Sequence, residues 1–206
     1  MTNFVSFTEG GEVSHVDHLV FNLVDPAADT GSVTSLISKS LKGLATGVAA
    51  RFDSDPLIDY RAQRPLMNFR NGRLVGMRRD GIVLSHATDV EGHRFLHLNG
   101  TEPDFQWDAL LADILDVIER FGVTRTYSFT AIAATTPHTR PADMVVRQTV
   151  PDPGRVVLEA DFWFPASFAD YVEFHLGKLG GVSHTNVAVR VPMYLAGHQF
   201  SSGAAG

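Results

Sequence analysis

Apolar and polar positions follow two periods along this chain, and together they predict an α/β fold. Apolar residues recur at helical spacing in three stretches, which predicts helices over 33–44, 104–121 and 167–179. Apolar runs of strand length predict strands at 15–24, 47–52, 94–98, 123–134, 145–150, 156–164 and 186–191. The first strand, the first helix and the second strand form a βαβ unit, which predicts parallel strand pairing.

Turn signals place an antiparallel element between these parallel ones. Asn71-Gly72 joins two apolar runs and predicts a hairpin, and Asp80-Gly81 turns the chain into a further strand. We therefore predict an antiparallel meander over residues 66–87. The chain as a whole is expected to form one α/β domain over residues 16–197, with a mixed sheet flanked by helices. Residues 1–15 are expected to form an N-terminal arm, and residues 198–206 either a flexible tail or the point at which a longer protein was cut.

Composition narrows the class of protein further. The 206 residues are 44% hydrophobic and 19% charged, as in ordinary globular domains. The absence of cysteine excludes disulfides, thiolate catalysis and zinc-thiolate sites. A formal charge of −6 without a block of Lys or Arg predicts no nucleic-acid partner. No apolar run of 18 residues and no signal peptide are present, so we expect no membrane partner and a cytoplasmic location.

Three polar loops carry the candidate chemistry. Arg61 and Arg64 lie in the first loop, and Glu102 and Asp104 follow the strand at 94–98; the third loop, residues 137–141, holds His138 and Arg140 between two prolines. The carboxyl ends of strands in open α/β sheets are where ligands bind. The loops therefore predict a polar, ligand-binding pocket. Metalloprotease, dinucleotide, P-loop and nucleophile-elbow motifs are absent, so no metal or cofactor is predicted.

Each of these residues also has a structural interpretation. Thr101 and Asp104 can form a capping box at the start of the following helix, or Asp104 can be the N-cap itself. The arginines can pair with Asp59, Glu102 or Asp104, and His138 can bond a backbone carbonyl. Glu102 is not needed for the cap and is the better pocket candidate.

Four motifs occur in an order and spacing that resemble the bacterial branch of the proteasome assembly chaperone family, whose members are sometimes labelled ATP-grasp relatives. They are DPLIDYRAQRP (55–65), GTEPDFQW (100–107), PHTRP (137–141) and VPMYL (191–195). The resemblance implies a phosphorylase- or nucleoside-hydrolase-like scaffold that forms homo-oligomers. Eukaryotic relatives dock on proteasomes through a C-terminal hydrophobic-Tyr-x tail, whereas this chain ends in Ala-Ala-Gly.

Two classes of function remain open on this basis. The first is a binding or assembly protein of undetermined molecular function, which uses the scaffold without turnover and associates with itself, with a small anionic ligand or with a protein partner. The second is a hydrolase or phosphorylase of a small anionic or nucleoside-like substrate. In that case Glu102 or Asp104 would be the general base and His138 the general acid, while Arg61, Arg64 and Arg140 would clamp an anion. We favour the first class, because no nucleophile is evident. Self-association is expected through residues 66–87 or the helix at 167–179, since apolar edge strands usually need cover.

Overall fold

Three α-helices separate four groups of strands along the chain in the computed structural model, which describes residues 3–8, 15–25, 29–135, 137, 143–150, 161 and 163–195. The three helices are α1 Val33–Lys42, α2 Trp107–Phe121 and α3 Phe168–Leu179. The strands are β1 Val5–Phe7, β2 His18–Val24, β3 Ala45–Phe52, β4 Leu66–Arg70, β5 Arg73–Arg78, β6 Val83–Thr88, β7 Arg94–Thr101, β8 Arg125–Ala134, β9 Met144–Gln148 and β10 Ser183–Pro192.

Eight of these strands form one mixed sheet in the order β1-β3-β6-β7-β2-β8-β10-β9. The central strands β7, β2, β8 and β10 are parallel, and antiparallel strands complete both edges. The predicted α/β class with a mixed sheet flanked by helices is therefore confirmed.

The sheet is covered on both faces, as its parallel centre requires. Leu19 and Phe21 of β2 point to the face that carries α2 and α3, where the main hydrophobic core lies. Asn22 points to the opposite face and donates from Nδ2 to the carbonyl of Thr34 in α1 at 3.1 Å. The apolar stripe of α2 contributes Leu110, Leu111, Ile114, Val117, Ile118 and Phe121 to the core. Gly122 ends this helix with φ 67°, as predicted from its position.

The predicted pairing of the βαβ unit is wrong. Strands β2 and β3 run in the same direction, but β6 and β7 lie between them in the sheet. The order strand–helix–strand predicts that the two strands run in the same direction, but it does not predict which strands lie beside them. The neighbours of β3 are antiparallel strands at residues 83–88 and 5–7, which are distant in the sequence.

The predicted meander divides into two parts. Strands β4 and β5 form a separate two-stranded sheet around Asn71-Gly72, whereas β6 belongs to the main sheet. The predicted helix start at residue 104 is also wrong, because α2 begins at Trp107.

Several other predictions concern segments that lie partly or wholly outside the described residues. Residues 151–160 and 196–206, which include most of the predicted strand at 156–164 and the predicted tail, lie outside them, and Trp163 and Phe164 are not in a strand. Part of the predicted N-terminal arm adds the edge strand β1. Its neighbour Phe4 is buried, and the backbone N–H of Phe4 donates to Asp113 Oδ2 of α2 at 2.8 Å.

Candidate functional site

Two of the three predicted loops meet beyond the ends of β3 and β7. The N–H groups of Asp104 and Phe105 donate to the carbonyl of Leu57 at 2.8 and 3.1 Å. Asp104 Oδ2 accepts the N–H of Asp59 at 2.7 Å and Gln63 Nε2 at 3.1 Å. Asp104 therefore holds the first loop in place. It is not the N-cap of α2, because that position is taken by Gln106, which makes no side-chain capping bond.

Glu102 connects the second loop to helix α3. Its carboxylate accepts the backbone N–H of Phe168, the first residue of that helix. Ser167 completes the same helix end by a capping box with Asp170. Burial raises the pKa of Glu102, and the hydrogen bond from Phe168 opposes this effect. The carboxylate thus has a structural partner, and it is held in a site that disfavours its charge.

This pair of effects gives a prediction for two substitutions of Glu102. Glu102→Gln keeps an acceptor for Phe168 but removes the buried charge, so at pH 8 it should be as stable as the wild type or more stable. Glu102→Ala leaves the N–H of Phe168 unpaired and should lower the free energy of unfolding by about 1–2 kcal/mol.

Urea unfolding at pH 8 and pH 5 measures both variants. A raised pKa means that the folded state keeps its proton longer, so the Gln variant should gain on the wild type as pH rises through that pKa. A Gln variant less stable than the Ala variant would contradict this assignment.

The arginines of the first loop are not engaged as the structural interpretation required. Arg61 and Arg64 are exposed, and their guanidinium groups form no ion pair among the described residues. Asp59 instead accepts the backbone N–H of Arg61 at 2.8 Å. The expected pairing of Arg61 or Arg64 with Asp59, Glu102 or Asp104 is therefore wrong for the part of the chain that is described.

A cavity of about 900 Å³ lies between the two loops, the base of the β4–β5 hairpin and the start of α3. Arg64, Glu102 and Asp104 line it, whereas Arg61 does not. The third predicted loop cannot be placed here, because His138 and Arg140 lie outside the described residues.

Other lining residues were missed by the reasoning from sequence, chiefly Tyr60, Gln63, Arg78 and Arg79. Arg79 donates to Tyr60 Oη at 3.1 Å and to Asp55 at 3.2 Å. Tyr60 and Gln63 belong to the first motif, residues 55–65, so their position beside Arg61 and Arg64 could have identified them as lining residues.

Comparison with known proteins assigns the family. The PAC2 family profile matches residues 23–205. The chain belongs to the PAC2 family. No curated protein gives a significant match.

Solved structures share the fold of this chain. A Corynebacterium glutamicum protein of unknown function is 27% identical, with a TM-score of 0.82 over 94% of this chain and 74% of that one. A Mycobacterium tuberculosis protein of unknown function is 25% identical, with a TM-score of 0.83 over 96% and 71%. A proteasome-assembly chaperone homologue, also from M. tuberculosis, is 20% identical, with a TM-score of 0.77 over 87% and 77%.

This PAC2 chain also contains a buried polar network that the sequence did not indicate. His184 of β10 is 1% exposed, and its ring contacts Thr126 Oγ1 at 2.8 Å and Ser128 Oγ at 2.9 Å, both on β8. Asn186 Nδ2 donates to Ser128 Oγ at 2.8 Å. Since every bond joins β8 to β10, the network fixes the register of these parallel strands.

His97 of β7 contrasts with this network. It is fully buried, and neither ring nitrogen has a hydrogen-bond partner in the described structure. Burial lowers the pKa of both histidines to about 4.

The described residues offer neither a cluster of metal ligands nor a helix that could span a membrane. Within the described ranges, no group of three or more His, Asp or Glu side chains is placed to hold a metal ion. None of the helices described combines the length and apolar character needed to cross a membrane.

Proposed function

We propose that this PAC2 chain is an assembly-chaperone-like binding protein of the cytoplasm, which uses a nucleosidase-like scaffold without turnover and associates with further copies of itself. The observation that supports this most is the use of the two candidate carboxylates. Asp104 holds the 57–63 loop and Glu102 holds the start of α3, so neither is a free general base. The likeness to a protein described as a proteasome-assembly chaperone homologue points the same way.

Self-association is the first consequence to test. Light scattering at micromolar concentration should give a mass above the 22.5 kDa of one chain, because an interface of standard size persists at such concentrations. A monomer over the whole range up to about 100 µM would contradict this part of the proposal.

The second candidate is a hydrolase or phosphorylase of a small anionic or nucleoside-like compound. The cavity of about 900 Å³ favours it, because such a volume suits a small molecule. Arg64 would contact the anion, and Glu102, with its raised pKa, would exchange a proton with the substrate. In the same hypothesis Arg61 and Arg140 would also bind the anion, and His138 would be the general acid.

A thermal-shift screen of nucleosides, nucleotides and phosphate, followed by an assay for turnover of each stabilising compound, separates the two functions. A ligand at about 100 times its dissociation constant should add about 2.7 kcal/mol of stability. Arg64→Lys keeps the charge and loses the planar fork, so it should weaken such binding without unfolding the protein. Turnover of any stabilising compound that Glu102→Gln abolishes would replace the first proposal with the second.

A further inference from the structure

Side chains of opposite charge line the cavity of about 900 Å³. Arg64 and Arg78 lie at the base of the β4–β5 hairpin and are here called the basic wall. Glu102 and Asp104 lie in the loop after β7 and are here called the acidic wall. One molecule bound in the cavity can therefore contact groups of both signs.

The basic wall has no counter-ion in the described part of the chain. Neither Arg64 nor Arg78 forms an ion pair with a described residue, and both are exposed. Arg79 lines the same cavity, but it is already engaged, because it donates to Asp55 and to Tyr60. A guanidinium group is a planar fork of donors that matches a carboxylate or a phosphate, so the basic wall calls for an anionic group.

The acidic wall has no counter-ion among the described residues either. Asp104 accepts the N–H of Asp59 at 2.7 Å and Gln63 Nε2 at 3.1 Å, and Glu102 accepts the N–H of Phe168. All three donors are uncharged groups, so they satisfy the oxygens as hydrogen-bond acceptors without neutralising the two carboxylates. The acidic wall therefore calls for a cationic group.

The pKa of Glu102 reflects this concentration of negative charge. Burial raises the pKa, the hydrogen bond from Phe168 lowers it, and the carboxylates of Asp25, Asp170 and Asp104 raise it further. A positive charge bound beside Glu102 would favour its ionised form. An ammonium group fits this wall, whereas a phosphate ester, which carries about 1.5 to 2 negative charges, would be repelled by it. The anionic group at the basic wall is therefore better matched by a singly charged carboxylate.

Aromatic side chains and the size of the cavity indicate what joins the two charged groups of the ligand. Tyr60 and Trp107 line the cavity. Trp107 is held in place, because its Nε1 donates to the carbonyl of Pro103 at 2.8 Å and its ring packs edge-on against Phe168. A compact cavity of about 900 Å³ is about 12 Å across, and an extended chain advances about 3.3–3.6 Å per residue, so a peptide of about three residues spans it. An apolar side chain in such a peptide can pack against the indole.

We infer that the cavity binds a zwitterionic amino-carboxylate ligand, with the carboxylate at the basic wall, the ammonium group at the acidic wall and an apolar part beside Trp107. Short peptides and free amino acids share this chemistry, and the length of the cavity favours a peptide. The inference goes beyond the self-association proposed above and does not depend on it. It also differs from the second candidate function, whose anionic or nucleoside-like substrate needs no ammonium group.

Calorimetric titration of the full chain with the tripeptide Ala-Phe-Ala tests the two ends of the ligand separately. Amidation of the carboxyl end removes the anionic group, and acetylation of the amino end removes the cationic group. Each change should weaken binding by about 10-fold or more, because each removes a hydrogen bond between charged partners. Phenylalanine carries the same two charges, so tighter binding of phenylalanine than of the tripeptide would assign the ligand to free amino acids.

Matched substitutions show which wall binds each end. Arg64→Gln/Arg78→Gln should weaken binding of the free tripeptide by about 10-fold or more, but should leave binding of the amidated form unchanged. Glu102→Gln should likewise weaken binding of the free tripeptide and leave binding of the acetylated form unchanged. The control is Arg70→Gln/Arg73→Gln, which removes the same charge from exposed hairpin positions that do not line the cavity. It should bind the tripeptide like the wild type, and both arginine variants should melt like the wild type.

Several results would overturn the inference. A tripeptide blocked at both ends that binds as tightly as the free one would show that the cavity does not recognise the charges. Stabilisation by phosphate or a nucleotide, but by neither zwitterion at about 10 mM, would make the cavity the anion site of the second candidate function. A control variant that weakens binding as much as Arg64→Gln/Arg78→Gln would reduce the effect to net charge. None of these results changes the mass measured by light scattering, so the proposed self-association is tested independently.

Discussion

Lowering the pH from 7.5 to 5.0 should remove about 4 kcal/mol from the free energy of unfolding, through two buried histidines. Burial lowers the pKa of His97 and His184 from 6.5 to about 4. Each shift of about 2.5 units corresponds to about 3 kcal/mol when fully expressed, of which about 2 kcal/mol is expressed at pH 5.0. A domain whose total stability is about 5 kcal/mol, the low end of the usual range, would then be close to unfolding.

The sign follows from proton binding. Between pH 6.5 and 4 the unfolded chain binds protons at both histidines, while the folded chain does not, so stability is lost as pH falls through this window. Lys42 adds to the effect of burial at His97 and Arg147 adds to it at His184, whereas Asp170 opposes it at His184. Burial raises the pKa of Glu102 and Asp113, so their contribution has the opposite sign and becomes more favourable as pH falls.

Leucine substitutions assign the effect to each ring. His97→Leu removes two nitrogens that have no partner in the described structure, so stability at pH 7.5 should be unchanged or higher, and about half of the acid loss should disappear. His184→Leu leaves Thr126 and Ser128 without their ring partner and should cost about 2–4 kcal/mol at pH 7.5. Urea unfolding at four pH values measures both variants. A His97→Leu protein that loses stability at pH 7.5 and keeps the full acid loss would show that this ring is not a buried neutral base.

Local signals in the sequence predicted the elements whose formation depends on near neighbours. The apolar stripe of α2 and the glycine after it lie within residues 107–122, and the turn of the β4–β5 hairpin is specified by Asn71-Gly72 alone. Ser167 and Asp170 likewise lie three residues apart at the start of α3. In each case the residues that stabilise the element lie close to one another in the sequence.

Long-range contacts explain what the sequence did not reveal. Asp104 lies 45 residues from the backbone N–H of Asp59, and Glu102 lies 66 residues from that of Phe168. A carboxylate just before a helix, such as that of Asp104, is readily explained as a helix cap, so its distant partner was not apparent from the sequence. The placement of β6 and β7 between β2 and β3 has the same origin. By contrast, the sequence does show that residues 61–79 hold six arginines and no acidic residue, but the net charge of −6 of the whole chain obscured this.

Gly100→Ala should destabilise the protein by about 3 kcal/mol or more, because two costs coincide at this position. Gly100 lies near the end of β7 with φ 152°, a conformation that residues with a side chain rarely adopt. A Cβ atom there would lie 2.5 Å from the carbonyl oxygen of Gly81 and 2.8 Å from Ile82 Cα. Both neighbours are backbone atoms beside β6, so no side chain can rotate away.

The melting temperature should therefore fall by about 6–12 °C for Gly100→Ala, taking about 2–4 °C per kcal/mol for a chain of this size. The control is Gly47→Ala in β3, where a Cβ atom meets nothing within 4 Å and the backbone is not left-handed; its melting temperature should change little or rise slightly. Gly100 immediately precedes the loop that carries Glu102 and Asp104, so the same substitution should move that loop. Trp107, which lines the cavity, should then report a changed fluorescence spectrum before unfolding begins. If Gly100→Ala melts within about 2 °C of the wild type, β6 and β7 can separate at little cost. The close approach of the two strands would then not be what holds the loop in place.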